Sequence, residues 1–312
     1  MTWFGRIGHW LYQQPYLLLS ITFLAWAINI VLGRYVADHI PPIALTMVRW
    51  GMAFMIVLPF AWPHLKRDWP AIRANLTLMT VLAIAGTSGY NVLAYWALHD
   101  TQAINALLIQ STSPLVVALW AFAMFGDRLS LTQALGILTS FAGVAVILCR
   151  GDFEVLRAIA FNRGDVWFCV AMIIFAFYSA LVKKRPAIHP MSFLAFTMGW
   201  GTLWLTPLYV WEIWSGARMV LDATTVLTLI YVAIFPSIVA YFCFNRGIEL
   251  VGPNRAAALY PLIVVFGSLF AIGFLGERPQ VFHAVGYALV FAGVIIATRR
   301  HLVRTPSANL PL

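Results

Sequence analysis

The stretch 126-GDRLSLTQALGILTSFAGVAVILCR-150 returns 150 residues further on as 276-GERPQVFHAVGYALVFAGVIIATRR-300. Nine of the 25 aligned positions are identical, among them Phe-Ala-Gly-Val at 141–144 and 291–294. The same offset lays His39 on His189 and Trp50-Gly51 on Trp200-Gly201. Apolar helices draw on a small alphabet, so a single matched segment carries little weight. One offset serving three separated regions marks a duplication, with copies at 1–150 and 151–312.

Composition says what kind of unit was duplicated. The chain is 62% hydrophobic and only 10% charged, whereas a soluble domain carries about a quarter charged residues. Too little polar surface remains to cover a soluble body, so the lipid bilayer is the expected surrounding medium. A helix needs about 20 apolar residues to cross it. Ten such runs can be read, at 16–38, 43–62, 71–97, 102–125, 130–149, 164–184, 190–213, 223–246, 253–275 and 280–298. Five spans per copy is an odd number, so the second copy must enter the membrane upside down. The expected fold is all-α and integral to the membrane, with ten transmembrane helices in two inverted five-helix repeats. Inverted repeats recur in secondary transporters, whose binding site lies near the bilayer midplane where the repeats meet.

A net charge of +9 might suggest nucleic acid, but the basic residues sit in short clusters between apolar runs, which points to orientation instead. With both termini in the cytoplasm, inner loops and tails hold thirteen Lys/Arg and outer loops six, leaving Arg49 inside a span. A multi-pass protein of the cell membrane, with no nucleic-acid partner, follows. Ala25-Trp26-Ala27 mimics a signal-peptidase site, yet cleavage there would halve a membrane span. Cys149, Cys169 and Cys243 show no metal spacing and read as free thiols within apolar segments.

Within span four, 108-LIQSTSPLV-116 interrupts the apolar run. Pro114 cannot donate to the carbonyl of Gln110, so a kink is expected there. Any carbonyl it frees must face protein or a wet cavity. Ser111 and Thr112 are expected to bond back to their own helix. Gln110 and Ser113 share a face with Trp120 and are expected on the cavity. Trp26 and Asn29 in span one, Tyr90 and Asn91 in span three, Tyr178 in span six, Tyr241 and Asn245 in span eight, and Tyr260 in span nine complete the candidate set. Aromatics among amides and hydroxyls suit a small solute with a polar head and an apolar tail. Trp26, Tyr90 and Tyr241 would meet the tail. Trp62, Trp69, Trp211 and Trp214, at span ends, read as an interfacial belt.

Arg49 could hold a substrate carboxylate; alternatively it is structural, either bonded to helix-end carbonyls or snorkelling outward, and its place nearer the outer edge favours a structural role. No Asp or Glu falls at mid-span, which counts against an exporter of cationic drugs and against the acidic magnesium clusters of membrane prenyl transferases. No zinc spacing or convergent catalytic set is visible, so neither a cofactor nor an enzymatic role is expected. Gly136 and Gly143 are seven residues apart, as are Gly286 and Gly293; spans five and ten should pack closely through them, away from the cavity.

With these residues in hand, the chain resembles the drug/metabolite transporter superfamily, in its ten-span branch built from two EamA domains. The carrying segments are 25-AWAINIVLGRYV-36, 49-RWGMAFMIVLP-59 and 95-YWALHDTQAINALLIQSTSPLVVALWAFAMFGDRLS-130. Asp127 stands where the family usually has Glu, Pro261 lies three residues out of register with Pro114, and Ala176 falls opposite Trp26, so the aromatic gate of span one lacks an exact twin. The resemblance implies a carrier alternating between inward- and outward-open shapes. It would export amino acids, in the manner of the YddG type, or related metabolites. Multidrug, nucleotide-sugar and sugar-phosphate carriers are the alternatives within the superfamily. A small-molecule substrate is the implied partner; a monomer is compatible with this pattern, and the oligomeric state is left open.

Overall fold

A computed structural model describes residues 10–152, 154, 162–274 and 280–298. Gly276, Glu277 and Arg278, which head the second copy of the repeated motif, lie outside the described residues, as do Arg6, Arg157, Arg299, Arg300 and Arg304. The described residues form helices and turns, with no strand among them.

Ten helical spans run in chain order: α1 (Pro15–Tyr35), α2 (Pro42–Ala74), α3 (Leu76–Asp100), α4 (Ala103–Ser111 and Ser113–Phe125), α5 (Leu131–Leu148), α6 (Arg163–Leu181), α7 (Pro190–Trp214), α8 (Ala223–Val251), α9 (Pro253–Ala257 and Leu262–Phe274) and α10 (Val281–Thr298). Among the described residues, nine are long and apolar enough to cross a membrane. The exception is α7, which is 25 residues long but diluted by Trp, Gly, Thr and Pro. One boundary departs widely from the sequence reading. The stretch 63-PHLKRDW-69 was expected to be a connection, yet α2 runs through it with Pro59, Pro63 and Pro70 inside. Pro63 and Pro70 lie beyond the last apolar turn, where water can satisfy the carbonyls they free.

Two pairs of equivalent spans, α2 with α7 and α5 with α10, pack antiparallel, as inverted copies require. Carboxylates at opposite ends join α2 and α7. The Asp68 carboxylate accepts from His189 N and Ser192 Oγ, both at 2.8 Å. The Glu212 carboxylate accepts from Ile43 N at 3.0 Å and Ala44 N at 2.6 Å. Each helix thus ends on an acid that caps the start of the other, the charge-assisted arrangement that a helix N-terminus favours. Helices α5 and α10 cross through their glycines. A Cβ on Gly143 would stand 2.7 Å from Gly286 O, and one on Gly293 would stand 2.5 Å from Gly136 O. Neither fits without moving backbone. Leu131, Leu138, Val281 and Ile295 on these two helices are more than half exposed, which places the pair at the periphery, as expected.

The helices nearest the centre are irregular in matched places. Helix α3 contains a π-helical turn at Ile84–Gly89, and α8 contains another at Ile234–Val239, the same 150-residue offset that relates the copies. Helix α4 breaks at Thr112 and α9 breaks over residues 258–261. Such irregular backbone survives in a membrane only where protein or water satisfies it.

Candidate functional site

The four irregular spans, together with α1, α2 and α6, bring the candidate residues toward the middle of the bundle. Trp26, Asn29, Tyr90, Asn91, Gln110 and Tyr241 line one central cavity with Ile30, Arg49 and Ile263. Its free space is about 10 Å³, room for about one water molecule. A hydrated pocket was expected at mid-depth; here its walls have closed on one another.

Aromatic rings accomplish the closure. Phe175 of α6 packs against Trp26 at 5.2 Å between centroids, Tyr90 at 4.6 Å, Tyr178 at 5.4 Å, Tyr241 at 6.2 Å and Phe244 at 5.7 Å. It is therefore the hub of the plug, and sequence reasoning missed it. Ala176 lies opposite Trp26 at the 150-residue offset, but the true counterpart is its neighbour Phe175. The two rings meet edge to face, the arrangement that ring quadrupoles favour. Tyr260 joins from α9, its ring 4.8 Å from Phe23 and 6.3 Å from Trp26.

Polar side chains satisfy the backbone that the π turns free. Tyr241 OH donates to Gly86 O in the first turn. Asn91 Nδ2 donates to Gly86 O and, at 2.8 Å, to Thr87 O. In the second turn, Pro236 O accepts from Trp26 Nε1 at 3.1 Å and from Arg49 Nη2 at 3.0 Å. Arg49 also donates from Nε to Ser237 Oγ at 2.6 Å and from Nη1 to Asn91 Oδ1 at 2.9 Å and Tyr95 OH at 2.8 Å. Tyr95 OH donates on to Asn29 Oδ1 at 2.8 Å. The guanidinium, 1% exposed, thus ties one π turn directly and the other through Asn91. Arg49 bonds one backbone carbonyl, that of Pro236 inside a π turn and not at a helix end as expected. Its other bonds go to side chains, and it is buried rather than snorkelling. Tyr95, set one turn beyond Asn91, was noted in the sequence but not placed among the site residues.

Several candidates sit beside the cavity rather than on it. Tyr178 OH donates to Asn245 Oδ1 at 2.9 Å, and both residues, with Tyr260, belong to the adjoining aromatic layer. Ser113 is buried but does not line the cavity. Gln110 Oε1, Ser113 Oγ, Asn245 Nδ2 and Tyr260 OH are buried without a hydrogen-bond partner among the described residues. Buried polar atoms are seldom left so; of the four, Gln110 Oε1 is the one whose residue lines the cavity. Ser111 Oγ and Thr112 Oγ1 bond back to Leu108 O and Ile109 O, as expected. Trp62, Trp69, Trp211 and Trp214 are exposed near the span ends. No group of three or more His, Cys, Asp or Glu side chains could hold a metal among the described residues.

Comparison with known proteins agrees with this architecture. The model of the EamA-like transporter family matches the chain twice, at residues 13–149 and 162–299. An "uncharacterized transporter" of Archaeoglobus fulgidus is 27% identical over 290 residues, which is 92% of this chain and 98% of that protein. YyaM of Bacillus subtilis, also described as an uncharacterized transporter, is 25% identical over 89% of this chain and 90% of its own length. A protein of Streptantibioticus cattleyicolor described as a "probable terminal-alkyne amino-acid exporter" is 25% identical, covering 94% of this chain and 96% of its own. A solved crystal structure shares the fold with a TM-score of 0.72 at 19% identity, covering 90% of this chain and 95% of that one.

Proposed function

This chain belongs to the EamA-like transporter family, a membrane transporter by that membership, and from this premise we propose that it exports amino acids or related small metabolites by alternating access. The observation that carries the reading is the convergence of Trp26, Asn29, Tyr90, Asn91, Gln110 and Tyr241 on one closed central cavity between inverted halves. Rings there suit an apolar tail, and amides and hydroxyls suit a polar head. The "probable terminal-alkyne amino-acid exporter" of Streptantibioticus cattleyicolor supports the choice of cargo. The end that carries Lys66, Arg67, Arg128, Lys183, Lys184, Arg185 and Arg246 is assigned to the cytoplasm by the positive-inside bias, in the cell membrane.

In this mechanism the structure is the closed form between the two open ones. Cargo binding favours whichever opening gives it better contacts. The Asp68 clamp holds the cytoplasmic end of α2 and α7, and the Glu212 clamp holds the outer end. Releasing one clamp at a time exposes the cavity to one side at a time. The π turns of α3 and α8 and the breaks in α4 and α9 let those helices bend without rupturing a full ladder of hydrogen bonds.

The test is counterflow in proteoliposomes loaded with unlabelled amino acids, run over an amino-acid panel with and without a proton gradient. Accumulation of labelled amino acid driven by internal unlabelled substrate is the expected result. If every amino acid fails while an organic cation or a nucleotide sugar exchanges, the cargo assignment is wrong. Flux without stimulation from the far side would mark a channel.

A further inference from the structure

Among the described residues the buried charges fall into two kinds. Asp165 is capped by Thr101 Oγ1, Asn105 Nδ2 and Asn162 N, and Glu212 by two backbone N–H groups. Both stand at helix starts, where the peptide dipoles favour an anion. Arg49 is different. Its four bonds go to Ser237 Oγ, Asn91 Oδ1, Tyr95 OH and Pro236 O, all neutral acceptors. Guanidinium has five N–H donors and stays protonated, so one Nη2 hydrogen is uncommitted and a full positive charge has no counter-ion. That charge lines the central cavity beside Gln110, whose buried Oε1 has no partner.

The guanidinium also lies 4.8 Å from the Trp50 ring centroid, a cation–π contact. Among the described residues no anion pairs it, and a cation without a counter-ion in a site of low dielectric sets a sign rule for what enters. A second cation is repelled there, an anionic group is attracted, and planar guanidinium matches a carboxylate in shape. We propose that Arg49 is the carboxylate anchor of this carrier, selecting solutes with a carboxylate at the end held in the Arg49–Gln110 pocket and rejecting purely cationic ones. This deepens the transport reading given above and rests on it. The cavity is too small for cargo in the closed form, so the anchor works when one end has opened. A carboxylate then takes the free Nη2 hydrogen and displaces Pro236 O or Tyr95 OH from the guanidinium. The rings of Trp26, Tyr90 and Tyr241 around the same cavity call for probes with an aromatic tail.

The experiment compares four probes on purified full-length protein in lipid nanodiscs: L-phenylalanine, phenylalaninamide, 3-phenylpropionate and 3-phenylpropionamide. Apparent affinity is taken from the rise of the thermal midpoint with ligand concentration. In the wild type, each carboxylate is expected to bind at least about tenfold more tightly than its amide, the scale of one charge-assisted hydrogen bond. Arg49→Gln should bring both ratios close to one, and Arg49→Lys should keep part of them. A merely structural arginine would weaken both members of each pair alike. Gln110→Glu, which sets an internal carboxylate in the pocket, gives an independent check: it should abolish the preference even if Arg49→Gln fails to fold. If the wild type binds carboxylate and amide equally, or binds none of the four, the anchor is overturned, whether or not L-phenylalanine is transported. If no amino acid is exchanged yet 3-phenylpropionate beats its amide in an Arg49-dependent way, the anchor stands and the amino-acid cargo falls.

Discussion

Replacing Gly143 by Ala should destabilise the protein without altering what it carries. The new Cβ would lie 2.7 Å from Gly286 O, 2.8 Å from Leu289 Cβ and 2.8 Å from Val290 N, while ordinary contact begins at 3.4 Å. Two of those three atoms are backbone, so no side chain can swing aside and α5 and α10 must part by about 0.7 Å, the difference between those contact distances. Overpacking of this order costs about 1–3 kcal/mol, and the better helix propensity of Ala returns at most about 1 kcal/mol. The net loss of up to about 2 kcal/mol corresponds to a fall in midpoint of up to roughly 8 °C on the scale of soluble domains. Heating purified protein with a maleimide fluorophore reads this directly, because Cys149 and Cys243 are free and buried and react as the fold opens. Gly267→Ala is the matched control: nothing lies within 4 Å of its Cβ, so its midpoint should hold or rise slightly. A Gly143→Ala midpoint equal to that of Gly267→Ala, which shares the propensity gain without the clash, would refute the close-crossing argument. A normal midpoint with altered substrate preference would move α5 and α10 from scaffold to site.

Four further outcomes follow from the same geometry. Phe175→Ala removes the ring between Trp26 and Tyr90 and should cost about 3–5 kcal/mol of stability, with a higher substrate KM in counterflow; an unchanged KM and midpoint would dismiss Phe175 as the hub. Tyr90→Ala and Tyr241→Ala should lower transport while expression in the membrane persists, and the Tyr241 variant should also lose midpoint because both its ring and the hydroxyl donor to Gly86 O are gone. Tyr90→Phe and Tyr241→Phe, which keep the rings, should retain most of the midpoint, and unchanged transport rates in all four would remove both residues from the site. Glu212→Gln and Asp68→Asn should shift the carrier in opposite directions, each loosening its own clamp. With the native thiols replaced, faster labelling of Ile40→Cys in the first variant and of Leu194→Cys in the second is expected, and labelling of the wrong end would refute the clamp assignment. Finally, the His189 ring stacks on His64 at 3.6 Å, and its pKa is lowered, by burial first and then by the neighbouring His64 and Arg67 charges. The closed form therefore prefers neutral His189: its contribution is whole above the ordinary histidine value, about 6.5, and is lost as pH falls through the window below it. Labelling of Leu194→Cys should rise between about pH 7.5 and 5.5, and the rise should vanish in a His189→Gln background.

The inverted architecture was readable because one offset of 150 residues governs Gly143 and Gly293, Trp50 and Trp200, and His39 and His189 alike. Glycines seven apart announced the α5–α10 crossing, and Pro114 announced the break in α4. The π turns were not announced. Pro236 in 234-IFPSIV-239 and the glycines of 84-IAGTSG-89 mark irregular backbone but do not specify a widened turn, since that choice depends on which side chains reach the freed carbonyls from other helices. Asp68 escaped notice because Pro63 and Pro70 read as the end of a span, whereas the helix continues and carries the acid to His189 N. Phe175 was hidden by a one-residue drift between the copies: a strict offset points at Ala176, but packing selects the neighbour that faces Trp26.

The closed cavity also explains why these polar residues are tolerated in a membrane helix when no cargo is bound. Trp26 Nε1 and Arg49 Nη2 satisfy Pro236 O, Tyr241 OH satisfies Gly86 O, and Asn91 ties the first turn to Arg49. Each would be costly if left unpaired in the bilayer interior. In the proposed cycle, bending α3 or α8 alters these same bonds, and the released donors become available to the solute as the cavity opens. Cargo then competes with internal hydrogen bonds instead of meeting bare polar groups, so only the difference between the two sets appears as affinity. Modest affinity is what a carrier needs if its load is to leave on the far side. It also makes substrate choice and gating inseparable at Arg49, Asn91 and Tyr241, where a substitution that spares the fold should still change both.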